Sequence, residues 1–133
     1  MTASTPETAN DIMIRDFLAA WEDGDADRVA SYFTDDAVYH NIPMKPVVGK
    51  TAIRETIREF LSQSTSRPAM RIQIHHQIVS GDLVMNERTD YFTVNGREIV
   101  LPVCGVFEIH DGLIKTWREC FDMAPVTGAS TDG

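Results

Sequence analysis

LVMNERTDYFTVNGREIVLPVCGVFEIHDGLIKTWREC, residues 83–120, carries two dipeptides, Asn95-Gly96 and Asp111-Gly112, each set between runs rich in β-branched and aromatic residues. A two-residue hairpin needs positive φ at both central positions, and Asn-Gly and Asp-Gly meet that need at little cost. The stretch therefore reads as three consecutive antiparallel strands. A further turn signal in VSGDLV, residues 79–84, adds a strand before them. A four-strand meander of this kind hides one face only, so something must cover it.

The cover lies upstream. NDIMIRDFLAAWEDGD, residues 10–25, places Ile14, Phe17, Leu18 and Trp21 at helical spacing, with Asn10 as its expected cap and Gly24 as its stop. DADRVASYFTDD gives a short second helix through Val29, Tyr32 and Phe33, and AVYHNIP a brief strand ended by Pro43. GKTAIRETIREFLSQS puts Ile53, Ile57, Phe60 and Leu61 on one face of a third helix, and its alternating charges on a solvated one. Three N-terminal helices packed on a strongly curved, mostly antiparallel sheet make an α+β cone enclosing a pocket. Residues 1–133 are expected to form a single domain with an ordered core at about 10–123 and loose, polar termini.

Composition narrows the function. The chain has 133 residues, 43% hydrophobic and 24% charged, with a formal charge of −8. Phosphate binding needs a basic surface, so nucleic acid is not an expected partner, nor is an anionic membrane. No apolar run approaches the roughly 18 residues of a spanning helix, and MTASTPETAN lacks the order of a signal peptide, so a cytoplasmic protein is expected. Cys104 and Cys120 fit a reducing compartment, as small buried groups. They make no metal-ligand spacing, and His75 and His76, adjacent on a strand, should face opposite ways, so no metal is expected.

Side chains alternate faces along a strand, which sorts the polar residues. Val84, Asn86, Arg88, Asp90 and Phe92 share one face of their strand; Leu113, Lys115, Trp117, Glu119 and Phe121 share one face of the last. Between them Ile99, Leu101, Val103 and Phe107 are apolar throughout. One apolar interior, interrupted by an arginine and two carboxylates, accounts for all three patterns. An Arg–Asp pair on a strand is more often a structural ion pair; Glu119 on the inward parity tips this one towards chemistry. Each unpaired buried ion costs several kcal/mol, so such a cluster persists only if mutually satisfied, and its surplus negative charge is relieved by keeping one carboxyl protonated. One carboxylate and one carboxylic acid on a shared guanidinium suit push–pull proton transfer. The opposite face carries Val100, Pro102, Cys104 and Val106, apolar enough to suggest a homodimer interface.

The segments VYHNIPM…VVGKTAI, NERTDYF and CGVFEIHDGLIKTWRECFD, with the helical N-terminal third, resemble the limonene-1,2-epoxide hydrolase family over about residues 10–123. Those enzymes belong to the NTF2-like superfamily, with ketosteroid isomerases and SnoaL-like polyketide cyclases. The resemblance implies working residues at Tyr39 and Asn41, at Arg88 and Asp90, and at Glu119. It implies that Glu119 activates a water held by Tyr39 and Asn41, and that Asp90 donates a proton to the ring oxygen. It also implies that no cofactor is needed and that a 1,2-diol is formed. The chain departs from the family at residue 119, where the family carries aspartate. Glutamate sets its oxygens one methylene further out, and a shift of about 1 Å can cost about 100-fold in a positioned reaction.

The expected pocket wall is Trp21, Met44, Val84, Phe92, Leu101, Trp117 and Phe121, a lining suited to a hydrophobic small-molecule substrate. Two alternatives remain open at this level: an isomerase or cyclase shuttling a proton on a bound ketone or polyketide, and a noncatalytic small-molecule binding module.

Overall fold

The computed structural model describes residues 5–64 and 68–128. Helix α1 spans Pro6–Glu22, α2 Ala26–Ala30, and strand β1 Phe33–Asn41; a two-residue β2 at Val47–Val48 precedes α3 at Lys50–Ser62. Strands β3 (Met70–Ser80), β4 (Leu83–Val94), β5 (Arg97–His110) and β6 (Leu113–Cys120) follow, and α4 (Ala124–Thr127) closes the described chain. The sheet order is β2-β1-β6-β5-β4-β3. Each meander pair is antiparallel, as its turns require: Asn95, Gly96, Asp111 and Gly112 all have positive φ.

The chain begins its ordered structure earlier than expected. Pro6 fits the first helical turn, where its missing N–H is no loss, and Thr5, not Asn10, caps α1, its Oγ1 accepting from Thr8 N at 3.0 Å. Asn10 is instead buried and donates to the carbonyl of Gly81 in the β3–β4 turn. At the other end, α4 continues past residue 123. Helical structure thus lies beyond residues 10–123 at both ends; residues 1–4 and 129–133 lie outside the described residues. Phe33, expected in the second helix, opens β1.

The core is one continuous cluster. Ile14, Phe17 and Leu18 of α1 and Ile53, Ile57 and Leu61 of α3 close over the inner face of the sheet, where Phe33, Phe107, Ile114 and Trp117 meet them. Phe17 stands edge-on to Phe33, Phe107 and Trp117, at ring separations of 5.5, 5.9 and 5.0 Å. Two irregularities correct simple alternation. Between Glu108 and Ile109 the β5–β6 register shifts, so Lys115 is unpaired and Ile114 turns inward while Leu113 and Lys115 stay exposed. A similar shift between Ile74 and His76 leaves His75 and His76 both exposed, rather than on opposite faces.

Candidate active site

β1 runs parallel to β6, beyond the end of the meander. That pairing sets Tyr39 beside Trp117 and Asn41 beside Glu119, while β5 sets Gly105 across from Glu119. Residues from sequence positions 39 to 119 thereby converge at one point on the inner face. Backbone bonds hold the segment there, with Ile42 N donating to the carbonyl of Glu119 at 2.8 Å.

Arg88 is the centre. It is 1% exposed, the largest fully buried side chain, and both carboxylates grip it. Its Nε and Nη2 donate to Asp90 Oδ1 and Oδ2 at 3.2 and 3.1 Å. Its Nη2 and Nη1 donate to Glu119 Oε1 and Oε2 at 2.5 and 3.1 Å. Each carboxylate is thus held two-pronged, the strongest form of the pairing. Burial works against the guanidinium's charge, but Glu119 and then Asp90 outweigh it and hold Arg88 above its ordinary pKa. Burial pushes Glu119 up from 4.5 to about 7; Arg88 opposes the rise and the Asp90 charge adds to it. Burial, reinforced by the Glu119 charge, also raises the Tyr39 hydroxyl, which stays protonated. The Tyr39 ring is stacked on Trp117 at 4.4 Å.

A glycine makes room for this. A Cβ on Gly105 would lie 2.6 Å from Glu119 Oε2, 2.7 Å from Arg88 Nη1 and 3.1 Å from Asn86 Oδ1. The longer side chain at 119 therefore occupies space that any other residue at 105 would fill. No periodicity signals this, because what matters at 105 is a missing atom.

The cluster opens into a cavity of about 320 Å³. Of the wall expected from sequence, Trp21, Met44, Phe92, Leu101, Trp117 and Phe121 line it, as do Tyr39, Asn41, Arg88, Asp90 and Glu119. Val84 does not. It pairs with Val79 and Phe107 six residues along β4 from Asp90, about 20 Å away at strand rise, and is wholly buried core. Leu18, Ile57, Phe60, Met70, Ile72, Val103, Met123 and Val126 also line the cavity, with Thr56, Glu59 and Gln63 as its remaining polar members. The apolar spacing on α1 and α3 marked Leu18, Ile57 and Phe60 as inward, but not as cavity wall. Cys104 and Cys120, expected to be buried, are exposed on the outer face, directly across from each other. Among the described residues no three His, Cys, Asp or Glu side chains converge as a metal site requires.

A SnoaL-like domain is matched over residues 14–117. The chain belongs to the SnoaL-like family. The chain is similar to epoxide hydrolase EphG of Mycobacterium tuberculosis, at 33% identity over 127 residues, 92% of this chain and 83% of that protein. The structure of an M. tuberculosis LEH-like epoxide hydrolase superposes with a TM-score of 0.81 at 28% identity, covering 93% of this chain and 90% of that one. Bal32a, from a soil-derived mobile gene cassette, shares the fold at a TM-score of 0.76 and 20% identity, over 88% and 92% of the two chains. The SnoaL-like α+β cone and the resemblance to limonene-1,2-epoxide hydrolases read from the sequence are both borne out.

Proposed function

We propose that this protein is an epoxide hydrolase that adds water to a hydrophobic epoxide in one general acid–base step. The observation that carries the reading is the pair of buried carboxylates, Asp90 and Glu119, gripped by one guanidinium at the floor of an apolar cavity. The similarity to EphG supports it. Tyr39 and Asn41 hold a water beside Glu119, which removes its proton as the oxygen attacks an epoxide carbon. Asp90 gives its proton to the ring oxygen, and the carbon–oxygen bond breaks to yield the diol. Near pH 7 Glu119 is part ionised, and the ionised fraction acts as the base. Each turnover leaves the site's proton on Glu119, and it returns to Asp90 before the next. No covalent ester, metal or organic cofactor enters the step. Trp21, Met44, Phe92, Leu101, Trp117 and Phe121 form the substrate wall.

The test is incubation with limonene oxide, cyclohexene oxide and styrene oxide. The wild type gives diol, and Asp90→Asn, whose amide is a very poor proton donor, gives none. Folded wild-type protein that forms no diol from the panel would sink the reading. One observation favours a second: a protonated Glu119 and the Tyr39 hydroxyl are two buried donors, a set that can stabilise an enolate with Asp90 as base. A proton-transfer isomerase or cyclase would rearrange a bound ketone or polyketide without taking up solvent oxygen.

We further propose that the chain acts as a single domain in the cytoplasm, where two exposed free thiols are stable. It should also form a homodimer across the outer sheet face, where exposed Ile78 and Met85 extend the row of Val100, Pro102, Cys104 and Val106. Sedimentation velocity of the wild type against Val100→Lys reads this directly, the substitution shifting the protein to monomer.

A further inference from the structure

The two carboxylates use only four of the five N–H groups of Arg88. The fifth, on Nη1, donates to Asn86 Oδ1 at 2.9 Å. Asn86 is 5% exposed and pairs across to Gln77 on β3; its Nδ2 donates to Gln77 Oε1 at 3.0 Å. Gln77 Nε2 in turn donates to Asp11 Oδ1 at 2.8 Å and to the Asp11 carbonyl at 3.2 Å. Asp11 lies on α1, where Arg15 Nε donates to its two carboxylate oxygens at 3.3 and 3.2 Å.

This chain has a direction. Arg88 can only donate, and the side-chain oxygens and carbonyl of Asp11 accept, from Arg15 and Gln77. Between those ends each amide has one orientation that satisfies every bond, so neither Asn86 nor Gln77 can flip without setting donor against donor. A guanidinium is rigid and planar, so fixing its fifth donor fixes the rotation of the whole fork, including the angle at which it meets Glu119. We propose that Asn86, held through Gln77 by Asp11, is a positioning residue that aims Arg88, and through it Glu119, at the reacting water. The catalytic half of this inference rests on the hydrolase reading above; the aiming of Glu119 does not.

The test uses the full-length protein and three variants. Gln77→Glu sets a carboxylate against that of Asp11 and breaks the chain on the half-buried β3, leaving Asn86 in place. Pairing it with Asp11→Asn restores the donor–acceptor order, since the new amide faces the new carboxylate. Asn86→Leu removes the acceptor altogether. The first readout is the titration of the Glu119 side-chain carboxyl by carbon-13 NMR, which needs no substrate. Loosening the fork weakens the guanidinium's hold on the Glu119 carboxylate, so its midpoint rises by about one pH unit in Gln77→Glu. It returns to the wild-type position in the double variant. The second readout is turnover, with kcat lower by about 100-fold in Asn86→Leu and KM nearly unchanged.

The added charge at residue 77 also raises Glu119 through space, but the double variant keeps that charge, so only restored aim returns the midpoint. A purely structural role lowers the urea midpoint without that return. An unmoved titration in Gln77→Glu, or a double variant that does not recover, overturns the inference. The Gln77 arm stands by itself if Asn86→Leu fails to fold. Should the titrations move as stated while the wild type opens no epoxide, the hydrolase reading fails and the positioning of Glu119 stands.

Discussion

Replacing Glu119 by glutamine keeps the side chain's shape and removes its titration. In the fold Glu119 titrates at about 7, against an ordinary 4.5. The fold therefore favours the protonated form, and the contribution of this group is fully present below about 4.5 and lost as pH rises through about 7. A displacement of about 2.5 pH units, at about 1.36 kcal/mol each, amounts to a loss of about 3 kcal/mol between pH 4.5 and 8. Glu119→Gln lacks this loss. Carboxylates away from the Arg88 cluster contribute equally to both proteins, so the informative quantity is the difference in unfolding free energy between variant and wild type. That difference should move in the variant's favour by about 3 kcal/mol across the window. With a urea dependence of about 2 kcal/mol per molar, the midpoints diverge by about 1.5 M. Urea titrations at four pH values between 4.5 and 8 read it. A difference that stays flat would mean Glu119 titrates as an ordinary glutamate, and the desolvated cluster would lose its main support.

Three further outcomes follow from the same geometry. Gly105→Ala places a Cβ 2.6 Å from Glu119 Oε2, so the carboxylate must shift; kcat should fall about 100-fold, with a crystal structure showing Glu119 displaced. Arg88→Met leaves two buried carboxyls without their cation and should cost about 3–5 kcal/mol at neutral pH, less in acid, by urea unfolding. Ring opening needs a proton on the site, and burial sets its loss near pH 7, so log kcat/KM should decline with slope −1 above that value. A rate that climbs through pH 7 and stays high at 9 would contradict the shared-proton scheme.

Much of this is legible in the sequence alone. Asn95-Gly96 and Asp111-Gly112 marked the meander because few residues tolerate their backbone angles, and alternation then put Arg88, Asp90 and Glu119 on one face. Alternation failed where a bulge intervened: the unpaired Lys115 turned Ile114 inward, and the shift at His75 put two histidines on the outside. It also fixes a face without fixing a position along it, which is why Val84 was misassigned to the pocket. The parallel contact of β1 with β6 carries no local signature, since its partners are about 80 residues apart, and only the family resemblance brought Tyr39 and Asn41 to the site. Cys104 and Cys120 were misjudged from average burial, whereas their outward parity already placed them outside.

The most direct measurement is a single turnover in oxygen-18 water, with enzyme in excess over epoxide and the diol analysed by mass spectrometry. Direct attack by a water held at Glu119 predicts one solvent oxygen in the diol from the first turnover, and no diol from Glu119→Gln. Unlabelled diol in that first turnover, with its new oxygen drawn from a protein carboxylate, would contradict it.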